Sequence, residues 1–175
     1  IASAGNSNSS TPNYPAAYDH VISVANLNCA NIKAPSSSFG SWVDISAYGE
    51  NIYSTIPFDA YNTKSGTSMA APMVAGLCGL IWSKFPYFTA QEVEAMLKQS
   101  AVNINTQNPN YLGQLGSGLI NAYQSVYVPC LAGFNCGTGS WIQCKTESSS
   151  FLISGNTILP NYVVSLDAAT EITLT

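Results

Sequence analysis

Short apolar runs separated by polar, glycine- and proline-containing stretches set the rhythm of the early chain. The string IASAGN (1–6) reads as the end of a buried strand running into a glycine turn, and a Ser/Asn/Pro-rich loop follows over 7–15. HVISV (20–24) alternates and reads as a strand leaving a loop. Segments 36–47 and 51–57 read as a loop and two short strands. Further on, Thr89 and Glu92 stand three apart in a capping box that opens a helix, whose apolar face is Val93, Met96 and Leu97.

Between these lies KSGTSMAAPMVAGLCGLIW (64–82), which is small and apolar, with no charge between Lys64 and Lys84. Its apolar part, 69–82, contains glycine and proline and is too short for a membrane span; runs of roughly 10–14 residues are more often core helices. A helix interior tolerates proline poorly, because an N–H is missing and the ring clashes, so Pro72 predicts a helix that opens close to Ser68. That start places a hydroxyl where free N–H groups and the positive end of the helix dipole meet a developing anion. Attack on a carbonyl produces such an anion, so the position suits acyl transfer. The plainer reading is a capped helix start, since Ser and Thr are favoured caps.

Composition narrows the classes. The 175 residues are the size of one ordinary domain, and 46 % hydrophobic content allows a sizeable core. Charged residues are only 8 %, against roughly 25 % in an average soluble domain. Arginine is absent and the net charge is −4, which argues against nucleic acid and anionic membrane surfaces as partners. The chain begins with Ile1 and ends in an alternating apolar run, and we read it as an internal fragment.

Cysteine use points to an oxidising compartment. Cys78 reads as a buried thiol, and Cys29 stands alone in a polar loop. Cys130, Cys136 and Cys144 cluster like part of a disulfide group; a zinc site is the alternative, although no C-x-x-C and no histidine lies nearby. Alternating runs at 151–154, 162–166 and 171–174, separated by Gly155-Asn156 and Pro160-Asn161, read as the first strands of a separate β-rich module.

The string GTSMAAPMVAG (66–76) resembles the nucleophile signature of the subtilisin-like serine peptidases. Met73 stands where many members have a histidine that is not catalytic. The resemblance puts the nucleophile on Ser68. Alone, Asn6 would be an ordinary turn asparagine. Beside that signature, Ala4-Gly5-Asn6 resembles the family's A-G-N element, which implies that the Asn6 amide and the Ser68 N–H hold the oxyanion. Ser3, Ala4 and Gly5 stand where the family lines its peptide-binding groove, and the stretch Tyr14-Pro15-Ala16 resembles its pocket floor, implying a roomy apolar pocket. Tyr48 replaces a usual proline in a turn, and GSGLINAY (116–123) resembles the segment that closes the peptidase domain.

His20, the single histidine, lies in a setting similar to a family segment far from the chemistry, and Asp19, Asp44 and Asp59 lack the family's D-[ST]-G context. The triad's aspartate and histidine are therefore expected upstream. The implied fold is the C-terminal half of an α/β subtilisin-like three-layer domain, with a mostly parallel sheet and helices on both faces, over 1–126. A Cys/Gly/Ser-rich linker (127–150) and the start of a β-rich module (151–175) would follow. The implied function is serine endopeptidase on polypeptide substrates. A secreted or extracellular setting, with cell-surface attachment through the tail, goes with it. No cofactor is required; calcium is common in the family, yet no acidic cluster here specifies a site. A non-catalytic subtilase-like scaffold and a surface adhesion protein are the competing readings.

Overall fold

A computed structural model describes residues 1–127, 141–143 and 152–154. The chain divides into two compact units, Ile1–Val126 and Tyr127–Thr175. In the first, β1 (Ala2–Ser3), β2 (Ser23–Leu27) and β3 (Ile45–Tyr48) form a parallel sheet in that order, with Ser3 opposite Val24 and Val24 opposite Ile45. Every residue of β2 is buried, as expected of a central parallel strand covered on both faces. The strand begins at Ser23, three residues later than the alternation from His20 predicts. His20 is in the left-handed region (φ 64), and Val21 N–H closes a turn on the Tyr18 carbonyl, so 20–22 cannot yet extend.

One side of the sheet carries α1 (Thr67–Lys84), which packs on all three strands. Ala70, Val74, Leu77, Cys78 and Ile81 make its buried stripe, while Met73, Leu80 and Trp82 stand outward. The thiol of Cys78 is buried as predicted, and burial pushes its pKa up. The helix opens at Thr67, beside Ser68, as Pro72 predicts. Pro72 itself sits in the second turn and is exposed. Its missing N–H leaves the Ser68 carbonyl without a helical partner, on a face that water reaches.

The side chains alternate across the sheet, and Ala25 and Leu27 face a second core with Ala4, Val43, Ile104, Leu115 and Leu119. Beyond β3 the sheet continues through single-residue contacts: Ser46 N–H donates to the Gly118 carbonyl (2.8 Å) and Ile120 N–H to the Ser46 carbonyl (3.0 Å). Helix α2 (Ala90–Gln99) packs on α1 and carries the predicted capping box, with Val93, Met96 and Leu97 buried. A hairpin of β4 (Ile52–Ile56) and β5 (Ala60–Lys64) leads into α1, its tip at Phe58 and Asp59 in positive φ. Helix α3 (Ala122–Tyr127) follows.

In the second unit, β6 (Trp141–Gln143) and β7 (Leu152–Ser154) pair antiparallel, with Trp141 opposite Ser154. β6 falls within the stretch read from sequence as a linker. The cluster of Cys130, Cys136 and Cys144 and the strands expected over 162–166 and 171–174 lie outside the described residues.

Candidate active site

Two turns meet beyond the carboxyl ends of the parallel strands, where open α/β sheets bind ligands. The first follows β1: Ala4, Gly5 and Asn6. The second is the Gly66 turn that starts α1, docked on the residue after β3 by a 2.8 Å bond from Gly66 N–H to the Gly49 carbonyl. Gly66 has φ 152, a conformation that side chains rarely allow, and an added Cβ would lie 3.4 Å from the Asn6 amide.

Thr67 joins the two turns. Its backbone N–H donates to Asn6 Oδ1 (2.9 Å), its hydroxyl donates to the same oxygen (3.1 Å) and accepts from Gly5 N–H (3.1 Å). The helix is capped by Gly66 with no side-chain cap, which removes the plain capping reading of the Gly-Thr-Ser string. Two donors onto Oδ1 fix the Asn6 amide, turning Nδ2 away from Thr67. Asn6 is exposed, and Nδ2 has no partner among the described residues.

Ser68 follows directly. It is exposed, stands second in the helix, and neither its hydroxyl nor its N–H is paired among the described residues. Met69 and Ala70 N–H both turn back to the Gly66 carbonyl, so the Ser68 N–H is the donor of this first turn left over. A hydroxyl nucleophile, its own N–H and an anchored amide donor thus stand on adjoining turns. Beneath them lies Asn26, fully buried, with neither amide atom bonded among the described residues. A groove of about 310 Å³ opens beside the turn, lined by Met69, Pro72, Met73, Lys64 and the β4–β5 hairpin.

The other predicted site residues are placed less uniformly. Ala4 is buried in the second core, its N–H given to the Val24 carbonyl and its own carbonyl taken by Asn13 Nδ2. Gly5 donates to Thr67 and accepts from Ser38 N–H. Ser3 ends the edge strand β1 and is half-buried. The exposed Asn13 amide lies across Gly5, where an added Cβ would come within 2.6 Å of its Nδ2.

His20 and Asp19 precede β2 and Asp44 precedes β3, at the amino ends of strands whose carboxyl ends hold Asn6 and Gly66. His20 lines a separate cleft of about 230 Å³ with Tyr18, Trp42, Asp44 and Glu94. Asp44 is occupied: Oδ2 accepts from Ser23 N–H and its hydroxyl, and Oδ1 pairs with Lys98. Asp59 is at the hairpin tip. Sequence reasoning missed Thr67 as the link between the turns. Among the described residues there is no group of three or more His, Cys, Asp or Glu side chains that could hold a metal ion.

The sequence model of the subtilase family, peptidase S8, matches residues 1–118. Subtilisin DY of Bacillus licheniformis is 41 % identical over 125 residues, 69 % of this chain and 44 % of the relative. Thermitase of Thermoactinomyces vulgaris is 39 % identical over 126 residues, 72 % of this chain and 43 % of the relative. Among solved structures, a Pseudoalteromonas arctica protease superposes with TM-score 0.65 at 28 % identity, over 73 % of this chain and 42 % of that one. The patellamide maturation protease superposes with TM-score 0.67 at 28 % identity, over 73 % and 50 %. The chain thus spans less than half the length of those two curated relatives.

Proposed function

The chain belongs to the subtilase family of peptidases, and from that premise we propose that it is the nucleophile-bearing part of a serine endopeptidase. Ser68 attacks the scissile carbonyl of a polypeptide. The oxyanion accepts from the Ser68 N–H and Asn6 Nδ2, the amine leaves, and water releases the acyl-enzyme. The observation that carries the reading is the pair of hydrogen bonds that Thr67 donates to Asn6 Oδ1, which holds an amide donor with no partner among the described residues beside an unpaired serine at a helix start.

Ser68 needs a base, and that base an orienting acid. His20 and Asp44 belong to the other end of the sheet, so the proposal assigns both roles to residues outside these 175. The proposal extends to secretion, resting on the cysteine pattern and the paucity of charge. No helix among the described residues is long and apolar enough to cross a membrane.

The test is labelling of the intact protein with a fluorophosphonate. Labelling and peptide hydrolysis that both disappear in Ser68→Ala support the reading. Hydrolysis retained in Ser68→Ala refutes the nucleophile, and a folded intact protein that takes no label is a non-catalytic scaffold.

A further inference from the structure

Lys33 is 5 % exposed, yet no carboxylate pairs with it among the described residues. Its Nζ donates to Asn8 Oδ1 (2.8 Å) and to the Ala34 carbonyl (3.0 Å), and lies 5.2 Å from the ring centre of Phe39 and 5.0 Å from that of Tyr111. Two oxygens and two aromatic faces are a cage for a cation. The cage is built: Phe39 and Tyr111 meet edge to face at 4.8 Å, and buried Asn108 takes the Lys33 N–H on Oδ1 (2.7 Å). Burial pushes the ammonium pKa down, the mark of a charge held at a cost. A buried cation without a counter-charge is poor value for stability alone, and such violations concentrate at functional sites.

What the cage grips is the loop that carries Asn6. Asn8 lies two residues on, in the left-handed region at φ 48, with its N–H on the Ser36 carbonyl (2.8 Å). Ser38 N–H holds Gly5 on the near side of Asn6 (2.8 Å), and Phe39 N–H holds Ser9 beyond (3.0 Å). Lys33 adds to the buried Thr67 and Ser38 hydroxyls a charged side-chain tie on this arc.

We propose that Lys33 is a positioning residue for the oxyanion donor: its caged ammonium holds Asn8, and Asn8 fixes the backbone from which the Asn6 amide points. This rests on the reading of Asn6 as that donor. Lys33 acts through Asn6 and touches no substrate.

The experiment is a double-mutant cycle in the intact protein, with kcat and KM measured on a peptide substrate. Lys33→Met lowers kcat about tenfold, less than the loss of a whole oxyanion donor, and leaves KM within about twofold. In an Asn6→Ala background the same change has no further effect. An unchanged kcat, or an equal loss with and without Asn6, overturns the proposal. If Lys33→Met does not fold, Asn8→Gly keeps the left-handed backbone, removes the acceptor and enters the same cycle. Asn8→Asp restores the acceptor and must restore the rate. Failure of the peptidase reading shows separately, as hydrolysis that survives Ser68→Ala.

Discussion

Asn6 Oδ1 takes two hydrogen bonds from one residue, the backbone N–H and the hydroxyl of Thr67, at 2.9 and 3.1 Å. The pairing does two things at once. It exhausts the amide's acceptor on a scaffold that cannot rotate, and it leaves the donor end free one residue from Ser68.

Removing the donor is the direct test. Asn6→Ala should lower kcat by about 10²–10³ with KM little changed, a range measured on the corresponding donor of a subtilisin and borrowed from there. Asn6→Asp keeps an oxygen for Thr67 and replaces the N–H donor by a charged acceptor. It should lower turnover at least as far as the alanine variant and match the parent in thermal midpoint. A defect confined to KM would remove Asn6 from the transition state.

Thr67→Val keeps shape and the backbone bond but deletes the hydroxyl that bridges Gly5 N–H to Asn6. Leaving a part-buried donor unpaired costs about 1–3 kcal/mol. Urea unfolding should show a loss in that range, and kcat should fall while KM holds. Thr67→Ser restores the hydroxyl and should recover most of both.

Gly49 bears on the same turn from beneath. A Cβ there would come within 2.6 Å of the Gly66 carbonyl and 2.5 Å of Asn26 Oδ1. Neither backbone nor buried amide can yield cheaply, so Gly49→Ala should destabilise by about 1–3 kcal/mol and displace Ser68. Thermal melting and single-turnover acylation should fall together.

The Lys98 ammonium lies 2.7 Å from both Asp44 and Glu94. Burial draws its pKa down, but the hydrogen bonds and charges of Asp44 and Glu94 outweigh this, and the net shift is up from 10.5. A pKa raised by folding gives stability that is complete below the unfolded value and lost as pH rises through the folded one. Lys98→Met should therefore cost about 0.5–1 kcal/mol near neutral pH, and less at a pH above the raised folded value. Urea midpoints of both proteins on either side of that value decide it; a gap that does not narrow would deny the ion pair its role.

The proposed nucleophile and oxyanion donor were more legible than the residues that hold them in place. Ser68 and Asn6 stood in strings that resemble the subtilase motifs, and the Thr89–Glu92 box and the buried face of α2 followed from local spacing. Thr67 was obscured because a threonine before a helix reads as a cap, and its true partner lies far back in the chain. β5 went unseen because Ala60–Lys64 is polar and mostly exposed, paired by its backbone to β4. Pro72 placed the helix start within a residue, because proline is tolerated only near the beginning of a helix. Lys33 gave no signal, since burial of a lone lysine depends on aromatic rings at positions 39 and 111 meeting over it.

The Asn6–Thr67 bond spans 61 residues of chain. Parallel strands require long crossovers, and contacts of such separation are won late in folding, after the entropy of closing the intervening loop has been overcome. The anchored amide is therefore absent from a half-folded chain, even one in which the helix bearing Ser68 has already formed. On the proposed reading, the oxyanion donor is set only once the two turns have met, after the elements that carry them.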